Sequence, residues 1–121
     1  MAMQQPSLIY SSNIIYVNDD ATGNNTGISW EDALDDLQDA LALAKPGDSI
    51  WVAEGTYTPT LTMQKDISFD IPDSVIVLGG FGGFENSIDE RIWSDHLTLL
   101  SGMIGGGQQA YHVVTFNTVS E

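Results

Sequence analysis

Asn18, Asp20 and Thr22 stand at alternate positions ahead of Gly23. Side-chain oxygens at the first, third and fifth positions before a glycine open the loop that an EF-hand wraps around calcium. The twelfth position of such a loop carries a bidentate glutamate. Here it is Ser29, a residue suited to capping a helix. The stretch VNDDATGNNTG, Val17–Gly27, is therefore read as a connector whose Asn and Gly residues supply left-handed backbone. Asn18, Asp19, Asp20 and Asn24 are its candidate metal ligands, and calcium is the one cofactor the sequence suggests.

Other groups are weaker as chemistry. Asp19 and Asp20 are adjacent, and neighbours in an extended segment point to opposite sides, so they do not flank one bond as glycosidase carboxylates do. Asp35, Asp36 and Asp39 form an acidic helix face that either shares a loosely held cation or is simply solvated. The run GGFGGF, Gly79–Phe84, lacks the Lys-Ser/Thr of a phosphate loop and reads as a tight corner with Phe81 and Phe84 packed inward. Arg91, in DERIW, has no aspartate cluster on a repeated face to work with, and is read as an ion-pair or loop anchor. His96 and His112 show no ligand spacing, and His112 reads as a sheet residue in YHVVTF. No residue is assigned a catalytic role. Tyr57, Phe84, Trp93 and Tyr111 are candidates for stacking on sugar rings.

The whole-chain balance narrows the partners. The 121 residues include 17 acidic and 3 basic side chains, a formal net charge of -14. Such a surface repels phosphate backbones and anionic lipids, so nucleic acid is not an expected partner. The lack of cysteine excludes disulfides, cysteine zinc sites and thiol nucleophiles. No apolar run reaches the length of about 18 residues that a membrane-spanning helix needs, so membrane insertion is not expected. The opening MAMQQPSLIYSSN has no basic start or long apolar centre and is not an intact export signal.

These candidates hang on a mainly β framework. Residues 1–12 read as a polar, poorly ordered lead-in, and 13–121 as a single domain. Within it, 13–47 hold a strand at Ile14–Val17, the loop and an amphipathic helix predicted over Ser29–Lys45. Trp30, Ala33, Leu34, Leu37, Ala40, Leu41 and Ala44 recur at three- and four-residue steps as one apolar stripe. Ser29 and Asp32 make a capping pair at its start, and Pro46-Gly47 stops it. Residues 48–121 carry short β-rich runs. GDSIWVAEGTY aligns with PDSVIVLGGFG at a spacing of 25, placing Ile50 over Val75 and Val52 over Val77. LTLLSG follows at a similar interval, Leu99 lying 22 residues after Val77, as the run of a further winding. Such a repeat predicts stacked windings, each giving one strand to a parallel sheet, with the helix closing the first.

From Ile14 onward the chain resembles right-handed parallel β-helix proteins of the pectin-lyase-like type. The resemblance rests on IIYVNDDATGNNTGISWEDALDDLQDALALAKPGDSIWVAEGTYTPT, on VIVLGGFGGFENSIDERIW and on LLSGMIGGG with AYHVVTF. More narrowly, it is similar to large bacterial surface and secreted proteins whose solenoid starts with strand, loop and capping helix. The resemblance implies an N-terminal cap with few windings, and a secreted or cell-surface location. The catalytic faces of such enzymes lie on later windings than these. The function expected is a non-catalytic structural or adhesive module. The alternatives are a truncated polysaccharide-active enzyme or carbohydrate-binding remnant, and a module that self-associates through its open C-terminal winding, YHVVTFNTV, as a homo-oligomer.

Overall fold

The structure is a computed structural model and describes residues 13–117; the expected lead-in, 1–12, lies outside them. The chain is mainly strands with one short α-helix. In order come β1 (Ile14–Val17), α1 (Leu37–Leu43), β2 (Ser49–Ala53), β3 (Gly55–Tyr57), β4 (Phe69–Pro72), β5 (Ile76–Phe81), β6 (Thr98–Leu100) and β7 (Val114–Asn117). Short 3₁₀ turns fall at Ile88–Glu90 and Gly105–Gly107.

Every pairing between these strands is parallel. They make three small sheets, β1-β2-β5, β3-β6 and β4-β7. β2, β3 and β4 thus meet β5, β6 and β7 in the same order along the chain. Ser49 pairs with Ile76, Gly55 with Thr98, and Phe69 with Val114.

Two expectations about register are corrected here. Ile50 lies beside Val77, not Val75, so the aligned repeat is displaced by one side-chain period. A slip of two residues keeps each side chain on its face, which is why the aliphatic pattern alone did not detect it. The run LTLLSG does not continue the first sheet. Its strand β6 pairs with β3, and its Leu99 lies beside Thr56.

The predicted helix over Ser29–Lys45 is also corrected: only Leu37–Leu43 is helical. The N–H of Leu34 donates to the Tyr16 carbonyl at 2.9 Å, and that of Asn18 to the Leu34 carbonyl at 2.8 Å. Leu34 is thereby bridged to Val17 as a one-residue extension of the first sheet. A backbone engaged in a ladder cannot close helical turns through the same groups. Ser29 does cap, but it caps a turn, its hydroxyl accepting from the Asp32 N–H at 3.1 Å. The helix starts after Asp36, whose carboxylate accepts from the Gln38 N–H at 3.0 Å. It ends just before Pro46-Gly47, as the sequence predicts.

Two layers of packing follow from the alternation along β1, β2 and β5. Ile15, Val17, Ile50 and Val52 point inward, where they meet Leu34, Leu37, Ala40, Leu41, Phe69 and Ile71. α1 touches β1, β2 and β4, strands of two different sheets, with Leu37, Ala40 and Leu41 buried. On the outer face Tyr16, Trp51 and Phe81 join Trp30 in a second, aromatic core. The Trp51 and Phe81 rings stack at 4.6 Å, and Trp30 stands 4.9 Å from Tyr16 and 5.5 Å from Phe81. Trp30 thus belongs to this outer cluster and not to a helical stripe.

Candidate functional site

The opening loop is held from both ends. Asn18 accepts from the Asp20 N–H at 3.0 Å through its own side chain, a local turn that fixes the start. The Asp19 N–H donates to the Tyr57 hydroxyl at 3.1 Å, and the Asn24 N–H to the Asp32 carboxylate at 2.9 Å. Gly55 makes room for the Asp19 carboxylate: at φ 146°, a Cβ there would lie 2.6 Å from Asp19 Oδ1. Partial burial, then the neighbouring Asp20 carboxylate, push the Asp19 carboxyl above its ordinary value, against the Thr56 amide and its own. Asn18, Asp19 and Asp20 stay near β3, while Asn24 is tied back to Asp32. Among the described residues, no group of three His, Asp or Glu side chains is placed to hold a metal ion.

Asp19 does share a cleft with Asp35 and Asp36. Its volume is about 310 Å³ and its far wall is Thr56 to Leu61. Asp35, Asp36 and Asp39, expected on one helix face, are split here: Asp36 is the cap and only Asp39 is helical.

The four aromatic candidates divide. Phe84, Trp93 and Tyr111 are 65%, 69% and 71% exposed, whereas Tyr57 is 4% exposed. Tyr57 therefore has no ring face to offer a sugar. Its hydroxyl donates to the Ala53 carbonyl at 3.1 Å while accepting from Asp19, and burial pushes the phenol well up, keeping it protonated as that donation requires. Phe84, expected inside beside Phe81, points outward and meets His96 edge-on at 5.8 Å. Trp93 and His96 rim a second cleft of about 310 Å³, floored by Val52, Val77, Leu97 and Leu100. Tyr111 lies beneath Lys65, its N–H donating to the Lys65 carbonyl at 2.8 Å.

Arg91 is a loop anchor. It donates to the Gly79 carbonyl at 3.0 Å, and its guanidinium lies 5.5 Å from the centre of the Phe81 ring. The ion pair offered as its alternative is absent among the described residues, where the one ion-pair contact joins His96 Nδ1 to Glu54 Oε2 at 3.3 Å. His112 lies ahead of β7 and is exposed, not within a strand.

Sequence reasoning missed two structural centres. Glu85 is 1% exposed, and its carboxylate accepts from the N–H groups of Gly82, Gly83 and Phe84 at 2.7, 3.1 and 3.1 Å. Burial alone would raise its carboxyl, but those amides and its own hold it below the ordinary value. Of the corner expected over Gly79–Phe84, the first three residues continue β5, and the Gly82–Phe84 half is an anion nest filled by the chain's own glutamate. The Glu85 carbonyl accepts from the Trp30 indole at 2.8 Å, which joins the corner to the aromatic cluster. A glutamate directly after a glycine-rich run was the available signal. The second centre is Thr98. At the irregularity between Trp51 and Ala53 its hydroxyl faces the Val52 and Ala53 carbonyls at 3.2 and 3.1 Å and accepts from the Gly80 N–H at 2.9 Å.

These groups anchor backbone. Their polar atoms are spent on carbonyls and amides of the same chain. A further surface feature is the far edge of β5, β6 and β7. These strands carry no charged residue, and among the described residues none has a second neighbour. A scan against protein-family models found no match, and searches of curated proteins and of solved structures found none either.

Proposed function

We propose that this chain is the helix-capped end of a right-handed parallel β-helix, and that it acts as a non-catalytic structural or adhesive module of a secreted or cell-surface protein. One observation carries the reading: β2, β3 and β4 meet β5, β6 and β7 in unbroken order, all parallel. Two successive windings of three strands produce that order, and right-handed crossover is the rule for parallel connections. The burial of Leu37, Ala40 and Leu41 against strands of two sheets supports α1 as the lid. The location is carried over from the resemblance of Ile14–Thr60 to the caps of exported solenoids.

A wound scaffold of this kind resists proteases and leaves polysaccharides uncut. The test is to incubate the chain with acidic polysaccharides and calcium while following absorbance of unsaturated product, alongside a protease time course. The expected result is no product and slow digestion. Sustained product formation would overturn the non-catalytic reading. A second reading, polysaccharide binding, is favoured by the exposed Trp93 beside His96 at the rim of a cleft. A Trp93-dependent fluorescence change on titrating sugars, lost in Trp93→Ala, would select it.

A further inference from the structure

We draw no further inference here: the strongest candidate, the apolar face that Phe84, Trp93 and Leu97 expose on the loop between β5 and β6, at the cleft beside His96, is unpartnered, and nothing in the structure shows what covers it.

Discussion

Replacing Glu85 by Gln probes the corner on which the outer core depends. The carboxylate is buried and receives three amides at 2.7, 3.1 and 3.1 Å. Gln keeps the shape and one carbonyl oxygen. Its amide group cannot accept, so a backbone N–H that met the second oxygen is left facing another donor. Hydrogen bonds to a charged group contribute about 1.5–3 kcal/mol, against roughly 1 for a neutral pair. Losing the charge at three bonds, with one donor orphaned, gives an expected cost of about 2–4 kcal/mol near pH 7. Urea unfolding of the two proteins measures it, as a midpoint shift of about 1–2 M for a chain of this size. The pH dependence follows from the direction of the shift. The folded carboxyl is held below its ordinary value. Its contribution is therefore fully present above the unfolded value, about 4.3 for Glu, and is lost as pH falls through the lower folded value. The gap between wild type and Glu85→Gln should be full at neutral pH and shrink in acid. A gap below about 0.5 kcal/mol at pH 7, or one that does not change with pH, would refute the claim that the charge fills this nest.

Tyr57→Phe removes a buried hydroxyl that serves both Asp19 and Ala53, leaving the Asp19 N–H unmatched while the Ala53 carbonyl keeps the Thr98 hydroxyl. An expected loss of about 1–3 kcal/mol can be read by chemical denaturation. Trp30→Ala deletes the indole bond to Glu85 and ring contacts with Tyr16 and Phe81. Because the ring is partly exposed, the expected cost is about 2–4 kcal/mol, with a change in near-ultraviolet dichroism from Trp51. Asp19 has a raised folded value, so its ionisation opposes folding once pH exceeds the unfolded value. Asp19→Asn should therefore melt no lower than wild type at pH 7 and lose that relative advantage in acid, which a melting series across pH would check. Calcium added to wild type should raise the melting temperature no more than magnesium at equal ionic strength. A calcium-specific rise abolished in Asp20→Asn would instead establish the loop as a cation site.

Glu85 shows why part of this protein was legible and part was not. Glycine runs signal a corner, and the sequence predicts one at Gly79–Phe84. Which group fills the corner depends on where the next residue turns, and the bonds that decide it run over one to three positions only after the chain has folded back. The aromatic candidates teach the same lesson. Tyr57, Phe84, Trp93 and Tyr111 are equally amphipathic in sequence. The parity of β3, the path of the 82–97 loop and that of the connection between β6 and β7, not composition, buried the first and left the others outside.

Alone, the sequence determined the mainly β character, the strand at Ile14–Val17, and the helical spacing of Leu37, Ala40 and Leu41 within a longer predicted stripe. Side-chain alternation and helical spacing are local properties, carried by neighbouring residues whatever the chain does elsewhere. Only the tertiary structure decided that Ile50 lies beside Val77, that β6 joins β3, and that Leu34 leaves the helix for a bridge to Val17. Register is set by the lengths of distant connections, and a slip of two residues leaves the apolar pattern unchanged. The helix start is set by competition for backbone groups with a strand some seventeen positions away in the chain, which no local propensity contains.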